Sequence, residues 1–188
     1  MGGTVSRGNC RRNGHSRRSI EESIMSAAPT PSTAAVNTAD LYDERGEELA
    51  SVSLQFQSLG GRSHFSGRAR TIRCFQDNAL VKSTLATPGN GCVLVVDGGG
   101  SLGTALMGDM IAESAVANGW AGVVINGAIR DREAIAALDL GVKALGSNPR
   151  KSARDGAGEV DVDVVIDGVT IRTGAMIWCD PDGILVER

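Results

Sequence analysis

The sequence predicts a mixed α/β domain with layered sheets around a central βαβ unit. Two short apolar, β-rich runs, Cys92–Asp97 and Gly122–Asn126, flank one helical stretch, Asp109–Asn118. That pattern belongs to parallel strands joined by a crossover helix. From Val160 onward the chain is β-rich and broken by short turns, which adds a meander to the central unit. In βαβ units ligands sit at the carboxyl ends of the strands. Two polar clusters, Gly108-Asp109 and Arg130-Asp131, lie in the connections that leave those ends. An arginine and two carboxylates are therefore expected to meet on one edge.

The elements follow in order. Residues 1–28 carry five arginines against two glutamates, a net of +3, and leave −6 for the rest of the chain. This segment is rich in Ser, Gly and Asn and has no apolar period, so it reads as a disordered basic tail. It lacks the apolar core of a secretory signal, and Met25 reads as the natural beginning. Pro29–Val36 is a linker, and the domain is expected over residues 29–188. Thr38 is placed to cap a short helix through Glu44. Ser51–Gln57 alternates, with Val52, Leu54 and Phe56 on one face of a half-buried strand. Gly60-Gly61 turns the chain into a strand over Gly67–Phe75. Asp77 caps a helix, Asn78–Ala86, closed by Pro88-Gly89. Beyond the central unit, Arg132–Leu140 reads as a helix with Ala134, Ile135 and Leu138 inward and Gly141 as its stop. Val142–Leu145 is a short strand, and Asn148–Ser152 a basic turn, either solvated or contacting a carboxylate or another subunit. The remaining strands are Val162–Ile166, Val169–Arg172, Ala175–Cys179 and Ile184–Val186, with turns at Asp167-Gly168 and Asp180–Gly183.

Composition narrows the function. The 188 residues suffice for one well-cored domain. Aromatics are 3%, so the core is Val, Ile, Leu and Ala, and no stacking platform for single-stranded nucleic acid is expected. The net charge of −3 argues against direct nucleic-acid binding. No run approaches the roughly 18 apolar residues of a membrane span. Cys10, Cys74, Cys92 and Cys179 are scattered, with Cys92 reading as core, so a cytoplasmic protein with reduced thiols is expected. His15 and His64 lack neighbours at zinc-ligand spacing, which leaves a hard cation on oxygen ligands as the metal to consider.

Gly98–Gly103 fits G-x-G-x-x-G after an apolar strand, the form of a dinucleotide fingerprint. It departs from that fingerprint in two ways. Thr104–Met107 leads to another glycine and not directly into a helix, and the next strand ends in Asn126 where a ribose-binding acid belongs. The other reading is a glycine turn that lets the backbone approach something closely.

Asp109 can cap its helix, with the N–H groups of Met110 and Ile111 turned toward an anion such as a carboxylate. Arg130 offers a planar fork to a second carboxylate contact. Asp131 supplies a hard-cation ligand, and Mg²⁺ commonly takes just one or two protein carboxylates. Against this, Asp109 and Asp131 are both adequate helix caps, and Arg130 can pair with Asp131 or Asp97. Spacing alone leaves both readings open.

Asp109, twenty residues, then Arg130-Asp131 resembles the D-x20-R-D signature of the RraA-like family. That family includes regulators of ribonuclease activity A and class II 4-hydroxy-4-methyl-2-oxoglutarate/4-carboxy-4-hydroxy-2-oxoadipate aldolases. GDMIAESAVANGWAGVVINGAIRD, LGVKALGSNPRKS and DPDGILV resemble it, as do LQF, GGRS and RCFQDNALVKS upstream. The resemblance implies a layered β-β-α domain of the swivelling type, assembled as a trimeric ring with sites between subunits. It implies that Gly108, Asp109, Met110 and Ile111 bind the substrate carboxylate. Arg130 then contacts the 2-oxo acid substrate, and Asp131 ligates Mg²⁺ or Mn²⁺. The implied activities are aldol cleavage and oxaloacetate decarboxylation, both through a pyruvate enolate, with Arg130 and Asp109 as the catalytic side chains. Aldolase-proficient relatives extend into a C-terminal helix that lends an acid to the neighbouring site. This chain stops at Arg188, so decarboxylation is the expected activity and aldolase activity is expected to be weak. The other function implied is a protein-binding inhibitor of an RNase E-type endoribonuclease, in which an acidic trimer meets a basic partner.

Overall fold

The computed structural model describes residues 1, 2 and 36–188. The expected basic tail beyond residue 2, the Met25 start and all of the linker except Val36 lie outside the described residues.

Four parallel strands form the centre: β3 (Phe65–Arg73), β4 (Val93–Asp97), β6 (Gly122–Ile129) and β7 (Gly141–Ser147). Their registers are simple, with Ala69 opposite Val93, Val93 opposite Gly122 and Gly122 opposite Gly141. Each strand steps to its neighbour through a helix: α2 (Ala79–Leu85), α3 (Asp109–Ala117) and α4 (Arg132–Ala136). Right-handed crossovers that always step the same way put their helices on one face. The side chains agree. Leu94 and Val96 of β4 pack with Val81, Leu85, Ala112 and Ile135 from the helices. Val93 and Val95 point the other way, into a second cluster with Val164, Ile171, Ile177 and Val186. Burial on both faces explains why β4 and β6 read as unbroken apolar runs.

The second cluster is covered by the C-terminal strands. β3 is shared between layers: Phe65–Arg68 pair antiparallel with β11 (Met176–Cys179), and Ala69–Arg73 pair with β4. β12 (Ile184–Glu187) and β1 (Leu49–Ser51) extend that side. β9 (Val164–Ile166) and β10 (Val169–Ile171) form a hairpin whose two turn residues, Asp167 and Gly168, both have positive φ. An Asp-Gly pair suits that turn. Two glycines were recruited by shape: a Cβ on Gly122 or Gly141 would overlap the Phe65 ring, which lies across both strands.

Several expected elements differ. The strand expected over Ser51–Gln57 is two strands, β1 and β2 (Gln57–Ser58), at opposite ends of the sheet path. Between them the chain crosses from β12 to β7, so Val52 is buried while Leu54 faces solvent. The cap of α1 (Thr38–Arg45) is Asn37, whose Oδ1 accepts from the Ala39 and Asp40 N–H groups. Thr38 is instead buried and bonds Asp180 through both its N–H and its hydroxyl, at 2.7 Å each. β3 starts and ends two residues earlier than expected, and β6 runs three residues further. α4 is shorter than the Arg132–Leu140 helix expected, and Ala134 lies outward. β5 (Ala105–Met107) and β8 (Glu159–Val160) were not anticipated. β5 turns out to organise the site.

Candidate functional site

Three apolar residues between the glycine turn and α3 form β5, which pairs in parallel with the end of β6. Ala105 lies opposite Ala128 and Met107 opposite Ile129, and the Arg130 N–H donates to the Met107 carbonyl at 2.9 Å. The two strands end side by side, so the chain delivers Gly108-Asp109 and Arg130-Asp131 to one place. The Asp131 Oδ2 accepts from the Asp109 N–H at 3.3 Å and lies 3.2 Å from Arg130 Nε. Asp109, Arg130 and Asp131 thus meet on one edge. The glycine turn opens into a strand and not a helix, which removes the dinucleotide reading. Asp97, the other candidate partner of Arg130, accepts from Asn126 and the Gly99 N–H.

The capping reading of the two aspartates does not match their geometry. The cap position of α3 belongs to Gly108, and Asp109 is its first helical residue. The Asp109 Oδ1 accepts from the Met110 N–H at 2.7 Å, so that N–H is already taken. Asp131 stands at the cap position of α4, but its side chain makes no capping bond. Its backbone is left-handed, at φ 56° and ψ 44°. Aspartate is one of the few non-glycine residues that tolerate this region, which limits what can stand at this position. The side chains of Arg130 and Asp131 are 27% and 36% exposed, and an ion pair so placed contributes at most about 1 kcal/mol. Stability does not explain the arrangement.

Gly108 is required by contact and not by conformation. Its backbone is extended, at φ −128° and ψ −175°. An added Cβ would lie 2.6 Å from Asp131 Oδ2 and 2.9 Å from Arg130 Nε. Gly108→Ala removes no functional group but pushes both apart. For any reaction carried out at this site we expect a loss of rate of roughly 100-fold, the effect of a displacement near 1 Å. Steady-state kinetics beside a circular-dichroism melt would check this; full activity would mean that the two side chains need not touch Gly108.

A cavity of about 190 Å³ opens beside this cluster. Gly108–Ile111 and Arg130 form one wall, and Asn78, just before α2, and Lys82, midway along it, form another. Lys151 and Arg154 close the third side. A wider hollow of about 560 Å³ lies across the Asp109–Arg130 divide, against Asp131–Ala134 and Ser147–Pro149. The basic turn is therefore part of the site. Its position is fixed by β5: the Ala105 N–H donates to the Arg150 carbonyl at 2.8 Å, and the Ser152 hydroxyl donates to the Ala105 carbonyl.

Asp77 holds the third wall. Its Oδ2 accepts from the N–H groups of Asp155, Gly156 and Ala157, and its Oδ1 from that of Ala79. Burial works to raise its pKa, but the four backbone donors prevail and hold the carboxyl below its usual range. Nearby, burial first, then Asp77 and Asp97, push the Cys74 thiol up to about 12, so it is no nucleophile at neutral pH.

Sequence reasoning missed Asn78, Lys82, Lys151 and Arg154. Only the Asn148–Ser152 turn carried a signal, as a basic segment of undecided role. No three His, Cys, Asp or Glu side chains gather into a metal cage among the described residues. The donor set that is present, one carboxylate with an oxygen outside the Arg130 contact and an open hollow beside it, fits a hard cation that keeps water and takes its other ligands from substrate.

Comparisons with known proteins identify the family and the fold. The RraA-like family, described as Aldolase/RraA, matches residues 38–186. A Thermus thermophilis structure described as the RNA-processing inhibitor RraA is 47% identical, with TM-score 0.79, over 81% of this chain and 92% of that one. A Geobacillus kaustophilus structure described as an S-adenosylmethionine: 2-dimethylmenaquinone methyltransferase is 45% identical, with TM-score 0.80, over 81% and 94%. A Streptomyces coelicolor structure, described as an unusual member of the RNase ES inhibitor RraA family, is 29% identical, with TM-score 0.64, over 80% and 79%.

Proposed function

Because this chain belongs to the RraA-like family, we propose that it is a divalent-metal-dependent carbon-carbon lyase acting on small 2-oxo acids. Oxaloacetate decarboxylation is its surest reaction, and cleavage of 4-hydroxy-4-methyl-2-oxoglutarate its second. The observation that carries this reading is the meeting of Arg130, Asp131 and Asp109 at the paired ends of β5 and β6. The methyltransferase name of one relative finds less support, since a cavity of about 190 Å³ walled by four cationic side chains suits a small anion.

Both reactions need one thing: a place for the negative charge that develops on the ketone oxygen as the carbon-carbon bond breaks. In decarboxylation that bond breaks toward the substrate, CO₂ leaves, and the pyruvate enolate then takes a proton from water. Asp131 would hold one Mg²⁺ or Mn²⁺, which when bound supplies a Lewis acid for that oxygen. Arg130 presents its guanidinium to the same region and lends fixed positive charge without reorganisation. The first turn of α3 lies against the smaller cavity, and with the Asp109 and Met110 N–H groups already bonded it is the Ile111 N–H that can meet the substrate carboxylate. Asp109, beside both cavities, can keep a water in place and pass its proton. Aldol cleavage further needs a base for the 4-hydroxyl, and Asp109 is the carboxylate in the lining of the smaller cavity. As in the resemblance that first pointed here, we take the working form to be a cytoplasmic homotrimer with sites between subunits.

The test is pyruvate release from oxaloacetate by the purified protein, with Mg²⁺ and with EDTA. Turnover well above the free-metal background, abolished by EDTA, is expected. Rates equal to free metal would remove the lyase reading. The names of the Thermus and Streptomyces relatives favour a second reading, an inhibitor that binds an RNase E-type endoribonuclease. Its test is inhibition of the purified ribonuclease by this protein carrying Asp131→Asn; inhibition that survives the substitution supports it.

A further inference from the structure

The α2 side of the smaller cavity holds more positive charge than one 2-oxo carboxylate uses. Lys82, Arg130, Lys151 and Arg154 line it, against the single carboxylate of Asp109. Arg130 has Asp131 beside it, but Lys82, Lys151 and Arg154 make no ion pair with any carboxylate among the described residues. Like charges gathered around one concavity repel, and an anion seated among them offsets that repulsion.

We propose that Lys82 and Lys151 are specificity-determining residues that read the far carboxylate of a 2-oxo diacid. The proposal rests on the 2-oxo acid reading of Arg130 and Asp131. Lys82 is carried by a helix and Lys151 by the segment bridged to Ala105, so the two residues line the cavity from separate elements. A carboxylate that departs as CO₂ loses its charge, and a cation held against it would favour the intact acid. A carboxylate one carbon further keeps its charge through cleavage. The pair therefore selects longer diacids and gives oxaloacetate no advantage.

The probes are two unreactive acids of equal length, 2-oxoglutarate and 2-oxopentanoate, which differ in carrying a far carboxylate or a methyl group. Titration calorimetry on the full chain with Mg²⁺ reads their affinity ratio. The wild type is expected to favour 2-oxoglutarate by roughly tenfold or more, the worth of one charge-assisted hydrogen bond. Lys82→Gln and Lys151→Gln should each shrink the ratio several-fold, Lys82→Arg should keep most of it, and added salt should lower it. Equal affinities in the wild type, binding of neither acid, or a ratio unchanged in both glutamine variants overturns the proposal. Oxaloacetate turnover is measured in parallel. A preserved ratio without turnover would leave this subsite standing and remove the lyase reading.

Discussion

Asp131→Asn is expected to lower metal-dependent pyruvate release from oxaloacetate by at least ~100-fold. Asparagine is the informative replacement because the backbone at this position is left-handed, with φ 56°. Asn tolerates that conformation as Asp does, and alanine does so less well. The side chain makes no capping bond to α4, and its contact with Arg130 is partly exposed. The melting temperature should therefore stay within about 4 °C of wild type. What the variant loses is the negative charge that would hold a hard cation. Mn²⁺ titration followed by electron paramagnetic resonance reads that loss without any turnover. Undiminished Mn²⁺ binding together with undiminished turnover would make the carboxylate cluster structural, and the ribonuclease-inhibitor reading would move to first place.

Asp77→Ala is expected to be the most damaging single change to stability near the site, by about 2–4 kcal/mol in urea unfolding at pH 7. One buried carboxylate serves the N–H groups of Ala79, Asp155, Gly156 and Ala157, and the variant leaves them without an acceptor. The pH dependence follows from the direction of the shift. The pKa of Asp77 is lowered in the folded protein, so its contribution is fully present above the unfolded value of about 4. It is lost as pH falls through the folded value, because both states then bind the proton. The stability gap between wild type and variant should narrow as pH is lowered below about 4. A gap that stayed constant down to pH 2 would show that the side chain acts by packing alone. Asp77 also sets Arg154 and Asn78 around the cavity, so the variant should bind substrate more weakly even where it remains folded.

The chain's central strands were legible because a buried parallel strand leaves a direct mark, a short unbroken run of Val, Leu and Ile. The Asp167-Gly168 turn was legible because positive φ at two successive residues restricts which residues stand there. Arg130-Asp131 and Asp109 were legible as candidates from their position beyond strand ends, and as a signature through resemblance. The errors share a cause. Ser51–Gln57 alternates like one strand, yet its ends belong to opposite edges of the sheet, and alternation carries no information about which partner is paired. β5 is three residues long, too short to leave a period, and it exists because β6 offers it a free edge.

Local residue order therefore decided the central strands, their apolar faces, the Asp-Gly turn and the identity of the candidate residues. Each of these depends on a few neighbouring side chains and on conformational preferences that act within a turn or two. Tertiary structure alone decided that the Asp109 N–H donates to Asp131, 22 residues away, at the oxygen that also faces Arg130. It alone drew Asn78, Lys82, Lys151 and Arg154 around a common cavity. The register of β5 against β6 and the four donors gathered by Asp77 make those meetings. Both are pairings between distant segments, whose free energy appears only once the sheet has formed.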